Sequence, residues 1–414
     1  MQTNLSVEFR GKADGEAAEA ILRQCVHCGF CNATCPTYQL LGNELDGPRG
    51  RIYLMKQVLE GAEVTRSTQL HLDRCLTCRN CESTCPSGVE YGHLVDIGRK
   101  IVDAKVERPA TEKALRWLLK EGLTSPLFAP AMKLGQFMRP LLPAALKNKV
   151  PAAAAARGGV WPARTHQRKL LMLAGCVQPA MMPNINSATA RVLDAAGIQT
   201  LVAEKAGCCG ALRTHLGDQE GGLADMRRNI DAWWPYVEGD QVEAIVMNAS
   251  GCGVAVKDYG HALAADPAYA AKAARISALT LDLSELLPDL VEKLGPQIRK
   301  GSSQRLAFHP PCTLQHGQQL RGGVETHLRA LGFEVEITGS ESHLCCGSAG
   351  TYSVLQPELA YQLRDRKLGH LSALAPQAII SANIGCIQHL QTGTSTPVRH
   401  WIEILDEALE VAKA

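Results

Sequence analysis

Two runs of four cysteines with identical spacing constrain this chain more than any other feature. Each run has the form Cys-x2-Cys-x2-Cys-x3-Cys-Pro, and the members are Cys25, Cys28, Cys31, Cys35 and Pro36 in the first run and Cys75, Cys78, Cys81, Cys85 and Pro86 in the second. Both runs match the bacterial ferredoxin pattern, in which the fourth cysteine binds the cluster of the other run. The spacing therefore predicts two clusters that exchange one ligand each.

The predicted ligand sets follow from this exchange. One 4Fe-4S cluster takes Cys25, Cys28, Cys31 and Cys85, and the other takes Cys35, Cys75, Cys78 and Cys81. The alternative is a pair of structural zinc sites, but zinc commonly uses pairs of cysteines rather than a run of four that ends in Cys-Pro. The sequence favours the two-cluster interpretation.

The segment between the runs has the pattern of a helix. Ile52, Met55, Val58 and Leu59 fall on one helical face, and Gly61 is suited to the helix end. This pattern predicts a helical ferredoxin module rather than a compact β-rich one. Arg49 and Arg51, near the start of this helix, either offset the negative charge of a cluster or are ordinary solvated residues.

The second half of the chain contains an internal repeat of four cysteines. Matching members are separated by 136, 137, 137 and 134 residues, and the segments around them are also alike. A near-constant offset of this kind indicates a duplication. The two sets are Cys176, Cys208, Cys209 and Cys252 in the first unit and Cys312, Cys345, Cys346 and Cys386 in the second.

Each repeat alternates short apolar runs with helical stretches, which predicts α/β units around a parallel sheet. The cysteines follow the predicted strands, so we expect them at the carboxyl edge where such sheets bind ligands. Each set is a candidate for a further cluster, a metal ion or a redox-active dithiol, and the alternative is a group of small buried core residues. His309 and His389 lie near these cysteines and are further candidate ligands, although lone histidines are more often ordinary polar residues.

Bulk composition narrows the function classes. A length of 414 residues predicts two or three domains. The net charge of +2 is too small to create an overall electrostatic field that would attract nucleic acid. The first twenty residues lack the pattern of a signal peptide, and no apolar run has the length of a membrane span. We expect a cytoplasmic chain with at most peripheral membrane contact. The chain also lacks an evident dinucleotide-binding G-x-G-x-x-G after a first strand, which fits substrate chemistry on another chain.

The stretch between the two halves is basic and partly apolar. Residues 122–193 contain no Asp or Glu. Basic residues beside apolar patches suit an anionic membrane or an acidic partner, and the prolines argue against one long helix. The alternative is a solvated linker. The basic residues are Lys133, Arg139, Lys147, Lys149, Arg157, Arg164, Arg168, Lys169 and Arg191.

The order of these motifs resembles a known family. The two ferredoxin runs, the segment from Asn229 to Pro235, the SGCG and HLCCGSAGTY segments and the VRHWIEI segment near the end are similar to iron–sulfur subunits of glycolate oxidase. More distant similarity extends to subunits of glycerol-3-phosphate dehydrogenase, lactate-utilisation and heterodisulfide reductase systems. The resemblance spans nearly the whole chain and is weakest in the linker.

The resemblance implies an electron-transfer subunit of a glycolate dehydrogenase complex. A separate subunit that carries FAD would oxidise glycolate to glyoxylate, and this chain would pass electrons towards the quinone pool. Lactate or glycerol 3-phosphate as the substrate, or disulfide reduction at the Cys-Cys-Gly sites, are the alternatives. The heterodisulfide reductase relatives end each unit in a Cys-x2-Cys pair, whereas Ala255 and His389 stand at the partner positions here.

The resulting fold prediction is an N-terminal α-helical two-cluster ferredoxin module followed by a duplicated α/β cysteine-rich domain. We place the ferredoxin module at residues 1–110 and the basic, helical linker at residues 111–168. The first cysteine-rich unit then covers residues 169–300, and the second covers residues 301–414.

Overall fold

A computed structural model describes residues 1–143, 150–151, 158–298 and 304–409. The N-terminal part is helical. Its α-helices are Ala13–Gln24, Phe30–Ala33, Pro36–Leu41, Pro48–Leu59, Arg66–Asp73, Asn80–Thr84 and Tyr91–Lys105, with a 3-10 turn at Glu44–Asp46.

The helix between the two cysteine runs confirms the predicted pattern. Pro48 occupies its first turn, where the missing N–H costs nothing, and Gly61 follows its end with a φ of 94°. Its apolar face is buried against the long helix Tyr91–Lys105, where Gly98 leaves room for the side chain of Met55. The module is therefore a small helical core with both cysteine loops at its surface.

Two helices and a 3-10 turn lie in the first part of the linker. The helices are Ala110–Thr124 and Phe128–Phe137, and the turn is Arg139–Leu141. Ser125 and Pro126 separate the two helices, as the proline pattern predicted. Among the described residues, no helix is both long and apolar enough to cross a membrane. Lys147, Lys149, Arg157 and the alanine run lie outside the described residues.

The first repeat is a four-stranded parallel sheet in the order β2-β1-β3-β4. Its strands are β1 (Arg168–Met172), β2 (Ile198–Leu201), β3 (Ala244–Met247) and β4 (Thr280–Asp282). Its α-helices are Gln178–Met181, Asn184–Ala195, Ala211–His215, Gln219–Glu238, Ser250–Lys257, Tyr259–Ala262, Ala270–Leu279 and Leu287–Leu294, with 3-10 turns at Leu283–Leu286 and Gly295–Gln297.

The second repeat has the same topology, a parallel sheet in the order β6-β5-β7-β8. Its strands are β5 (Arg305–His309), β6 (Glu334–Glu336), β7 (Ala378–Ser381) and β8 (Val398–His400). Its helices are the π-helical turn Thr313–Gly317 and the α-helices Gly323–Ala330, Tyr352–Leu355, Pro357–Ser372, Ile384–Gln391 and Trp401–Ala408. The predicted fold class is confirmed, and every cysteine of the repeats follows a strand in the chain.

The two repeats share one hydrophobic core. Buried side chains from both sheets form a single cluster that includes Leu170 and Val246 of the first repeat and Phe308 and Ile380 of the second. Polar contacts reinforce this contact between the repeats, because Arg191 pairs with Asp406 across it at 2.6 Å. We infer that the repeats fold as one unit rather than as two independent ones.

Leu290 offers a test of this shared core, because its fully buried side chain lies on the helix that packs against Gly323–Ala330 of the second repeat. We predict that Leu290→Ala lowers the free energy of unfolding by about 2–5 kcal/mol. Hydrogen exchange should then quicken in both β1 and β5. Leu118→Ala, at an exposed linker position, is the control and should change stability by less than about 0.5 kcal/mol. Faster exchange confined to the first repeat would contradict the shared core.

Candidate metal centres

The two ferredoxin loops have the same unusual backbone conformation. In the first loop His27 and Gly29 have positive φ angles of 60° and 86°, and in the second loop Thr77 and Arg79 have φ angles of 50° and 56°. These residues occupy equivalent positions of the two motifs. A left-handed conformation at a non-glycine residue is uncommon, so its recurrence in both loops indicates that the backbone is curled to bring the thiols together.

The first group of thiols includes the last cysteine of the second run. Burial, together with the neighbouring thiols of Cys25, Cys85 and Cys28, raises the pKa of the Cys31 thiol to about 11. The cavity beside these four residues is also lined by Val26, Phe30 and Pro86. Cys28 is exposed, and so are the side chains of Val26 and Phe30 around it. This group therefore lies close to the protein surface.

The second group includes the last cysteine of the first run. Burial raises the pKa of Cys81 well above its ordinary value, with further contributions from Cys78, Cys75 and Cys35. Hydrogen bonds reach the sulfur atoms of this group. The Thr77 backbone N–H donates to Cys75 Sγ at 3.4 Å, and the Tyr91 hydroxyl lies 3.7 Å from the same atom. Such donors favour the thiolate form that a metal requires.

A fully buried arginine lies beside this second group. Arg51 is 1% exposed, donates from Nε to the His71 carbonyl at 2.7 Å, and donates from Nη2 to Thr37 Oγ1 at 3.2 Å. Burial lowers its pKa, but Cys75, Tyr91, Cys35 and Asp46 together outweigh burial and raise it. Arg51 Nη2 also lies 3.7 Å from the carboxylate of the buried Asp46. Arg49, by contrast, is partly exposed and pairs with the partly exposed Glu44 at 2.6 Å. The sequence did not distinguish the two arginines, whereas the structure places Arg51 beside the second group of thiols and leaves Arg49 partly exposed to solvent.

The first repeat brings its four cysteines together. Cys208 lies between Cys176 and Cys209 within hydrogen-bonding distance, and Cys209 in turn contacts Cys252. Hydrogen bonds from Cys176 and Cys209 lower the pKa of Cys208.

The Cys-Cys loop of this repeat is held by polar side chains. Asn229 Nδ2 donates to the Cys208 carbonyl at 2.7 Å, and the Tyr259 hydroxyl donates to the Cys209 carbonyl at 2.9 Å. The resemblance drew attention to the segment that begins at Asn229, but no local pattern marked Tyr259, because its contact crosses 50 residues of sequence.

The second repeat gathers its cysteines in the same order. Cys312 Sγ and Cys345 Sγ lie 3.8 Å apart, and Cys346 contacts Cys345 and Cys386. His309 adds a ring nitrogen to Cys346 and Cys386, with all three ligand atoms within 4.8 Å of one another. His389 is directed elsewhere, since its Nε2 lies 3.1 Å from the Ala360 carbonyl. Of the two candidate histidines, His309 is the one that the described residues bring into a group with the thiols.

The second ferredoxin loop packs directly on the second repeat. Leu76 belongs to a buried cluster with Cys312, Cys345 and Tyr352, and the partly buried Cys78 packs against this cluster. Three hydrogen bonds fix this junction: Tyr352 to the Arg74 carbonyl at 3.1 Å, Asn80 to the His343 carbonyl at 3.4 Å, and Ser83 with His316 at 2.8 Å. The thiols of the second group and of the second repeat are therefore neighbours.

The donor sets fit iron–sulfur clusters. Each N-terminal group offers four converging thiols, which is the ligand number of a cubane, and the second group receives N–H and O–H donors of the kind that tune cluster potentials.

Comparison with known proteins agrees with this arrangement. Residues 21–89 match the family model of the 4Fe-4S dicluster domain, and residues 170–257 and 306–391 each match the cysteine-rich domain. The chain is 56% identical to the glycolate oxidase iron–sulfur subunit of Escherichia coli, over 99% of this chain and 100% of the relative.

Two further relatives are less similar. A probable glycolate oxidase iron–sulfur subunit of Bacillus subtilis is 29% identical, over 93% of this chain and 91% of the relative. Lactate utilization protein A of Geobacillus kaustophilus is 26% identical, over 58% of this chain and 98% of the relative. With its two-cluster module, its duplicated cysteine-rich domain and its full-length similarity, this chain belongs to the family of glycolate oxidase iron–sulfur subunits.

Proposed function

We propose that this chain receives electrons from a flavin-containing subunit that oxidises glycolate to glyoxylate and passes them towards the quinone pool. The observation that carries the proposal is the 56% identity to a glycolate oxidase iron–sulfur subunit along the whole chain. The neighbouring thiol groups support a relay, because Cys78 packs against the buried cluster that contains Cys312 and Cys345.

The proposed ligands are those that the spacing predicts. Cys25, Cys28, Cys31 and Cys85 hold one 4Fe-4S cluster, and the remaining four N-terminal cysteines hold the other: Cys35, Cys75, Cys78 and Cys81. The pKa effects among these thiols support the exchange, because Cys85 acts on Cys31 and Cys35 acts on Cys81. When bound, each such cluster takes up one electron at a time. Two clusters would therefore accept the electron pair of a reduced flavin in two single-electron steps.

The surface beside the first group is the proposed contact with the flavin subunit. Phe30 is 65% exposed, and Val26, Tyr53 and the thiol of Cys28 are exposed around it. Exposed apolar side chains in one place are typical of protein interfaces. A partner seated here would approach the thiols of the first group while the second group remains buried against the second repeat.

The proposed membrane contact is the helix Phe128–Phe137 and the turn that follows it. Phe137 and Leu141 are about four-fifths exposed, at 80% and 77%, and Leu134 is exposed on the same segment. Lys133 provides positive charge in a stretch without any acidic residue. Apolar side chains beside positive charge suit the anionic cytoplasmic leaflet, where quinone is dissolved. The chain would then act as a cytoplasmic, membrane-peripheral subunit.

Cys35→Ser tests the exchanged ligands and the relay together. We predict that this variant damages the cluster of Cys75, Cys78 and Cys81, because the thiolate is the better iron ligand. Electron paramagnetic resonance of the dithionite-reduced complex should then lose the signal of the second cluster. Glycolate-dependent quinone reduction should fall at least tenfold, while glycolate-dependent dye reduction at the flavin subunit should persist.

Cys85→Ser is the matched control, because it should damage the cluster of Cys25, Cys28 and Cys31 instead. The two variants should therefore lose different signals. Loss of the first cluster in Cys35→Ser would show that each run binds its own cluster. Unchanged glycolate-dependent quinone reduction in both variants would contradict the relay, and reduction with lactate in place of glycolate would reassign the substrate.

Arg51 tests how the protein tunes the second cluster. Removal of a buried positive charge disfavours uptake of an electron nearby, so Arg51→Gln should lower the midpoint potential of the second cluster. We expect a shift of roughly 50 mV, on the scale at which 59 mV is a tenfold change for one electron. A potentiometric titration followed by electron paramagnetic resonance measures it.

Two further variants complete this experiment. Arg51→Lys keeps the charge and should restore most of the potential. Arg49→Gln removes a partly exposed charge that Glu44 already neutralises, so its effect should be much smaller. Equal shifts in Arg49→Gln and Arg51→Gln would rule out a special role for the buried charge.

A further inference from the structure

One difference between the two repeats places a potential metal ligand beside a single cysteine group. His309 ends β5, three residues before Cys312, and Leu173 stands at the equivalent place, three residues before Cys176. Both residues are buried. The duplication therefore placed an apolar side chain next to one cysteine group and an imidazole next to the other.

His309 is buried without a hydrogen-bond partner for its ring. It is 1% exposed, and within the described part of the chain neither Nδ1 nor Nε2 has a hydrogen-bonding partner. Buried polar groups are nearly always hydrogen-bonded, so the two unpartnered ring nitrogens of His309 indicate a missing ligand. The adjacent cation, Lys367, is already bound to the carbonyls of Glu341 and Ser342.

The backbone holds this imidazole in place. His309 pairs with Ser381 in the sheet, and Ser381 Oγ donates to the His309 carbonyl at 2.9 Å. The ring then lies beside the thiols of Cys346 and Cys386, with all three ligand atoms within 4.8 Å of one another. Cys386 itself lies near a donor, since Asn383 Nδ2 is 3.7 Å from its Sγ.

These distances suit a single metal ion. Bond lengths of about 2.0–2.1 Å to imidazole and 2.3 Å to thiolate in a tetrahedron place the ligand atoms roughly 3.5–4 Å apart. A small closing movement of the three side chains would reach that spacing. Neutral imidazole and thiolate are the ligands that zinc and other late first-row ions prefer.

We propose that His309, Cys346 and Cys386 bind one transition-metal ion of the zinc class in the second repeat. Cys345 and Cys312 border this site, and three protein ligands leave a fourth position of the tetrahedron for one of them or for a small molecule. The first repeat, with Leu173 at the equivalent position, offers thiols alone. The two repeats therefore hold different sites in spite of their common fold.

Metal and sulfide analysis of the anaerobically purified full-length chain tests this site. Iron in cubane clusters is matched by acid-labile sulfide, whereas a mononuclear ion has no sulfide counterpart. We expect the summed content of iron, zinc, cobalt, nickel and copper to exceed labile sulfide by about one ion per chain, as a mononuclear site requires. In His309→Leu this excess should fall at least fivefold, while labile sulfide and the cubane resonance signals stay unchanged.

The chain supplies its own controls. Leucine is the residue that the first repeat accommodates at this position, so His309→Leu should fold, and hydrogen exchange in β5 verifies this. His309→Cys replaces one zinc ligand with another and should restore the excess metal. Leu173→His changes the equivalent position of the first repeat and should leave the excess of the second repeat intact.

Two outcomes would overturn the site. The first is a wild-type chain in which metal and labile sulfide match. The second is a His309→Leu chain that retains the full excess. Neither outcome would contradict the proposed electron relay, because the cubane signals and the glycolate-dependent quinone reduction are measured separately.

Discussion

The fold of the N-terminal module depends on an exchange of thiols between its two cysteine loops. Each loop curls around its first three cysteines and sends its fourth to the other loop, so that Cys85 lies by Cys31 and Cys35 lies by Cys81. The prolines that follow Cys35 and Cys85 favour the extended backbone that both cysteines adopt, with a ψ of 117° at each. Neither loop can form its complete thiol group alone, which ties the intervening helices into one unit.

The second cysteine loop also organises the rest of the chain. It packs through Leu76 and Cys78 against Cys312, Cys345 and Tyr352, and its backbone carbonyl at Arg74 accepts the Tyr352 hydroxyl. The second repeat shares its core with the first repeat, so all three parts of the described chain are connected through buried contacts. A chain built in this way holds its redox groups at fixed separations, which electron transfer requires.

The local patterns of the sequence predicted much of this. Cysteine spacing is a local property, and it predicted the two-cluster module that the family model of the 4Fe-4S dicluster domain confirms. The constant offset between matching cysteines predicted the duplicated parallel sheets. A repeat is recognisable from such an offset even where the strand pattern of each unit is weak. The helix Pro48–Leu59 was predicted from its apolar face and its terminal glycine.

What the sequence did not predict depends on contacts between distant residues. Arg49 and Arg51 stand two positions apart, and Arg51 is buried where its side chain binds Thr37 and the His71 carbonyl, 14 and 20 residues away. His389 has the more suggestive spacing to Cys386, yet it binds the Ala360 carbonyl, while His309 reaches the thiols from another strand. The shared core of the repeats arises from helices more than 200 residues apart, as in the pair of Arg191 with Asp406.

The most direct test of the relay is electron paramagnetic resonance of the complex, purified anaerobically with the subunits that accompany this chain, after addition of glycolate alone. We predict reduced-cluster signals that appear with glycolate and match those obtained with dithionite. Full signals with dithionite but none with glycolate would contradict the proposed electron donor, and the absence of cluster signals with either reductant would contradict the iron–sulfur relay itself.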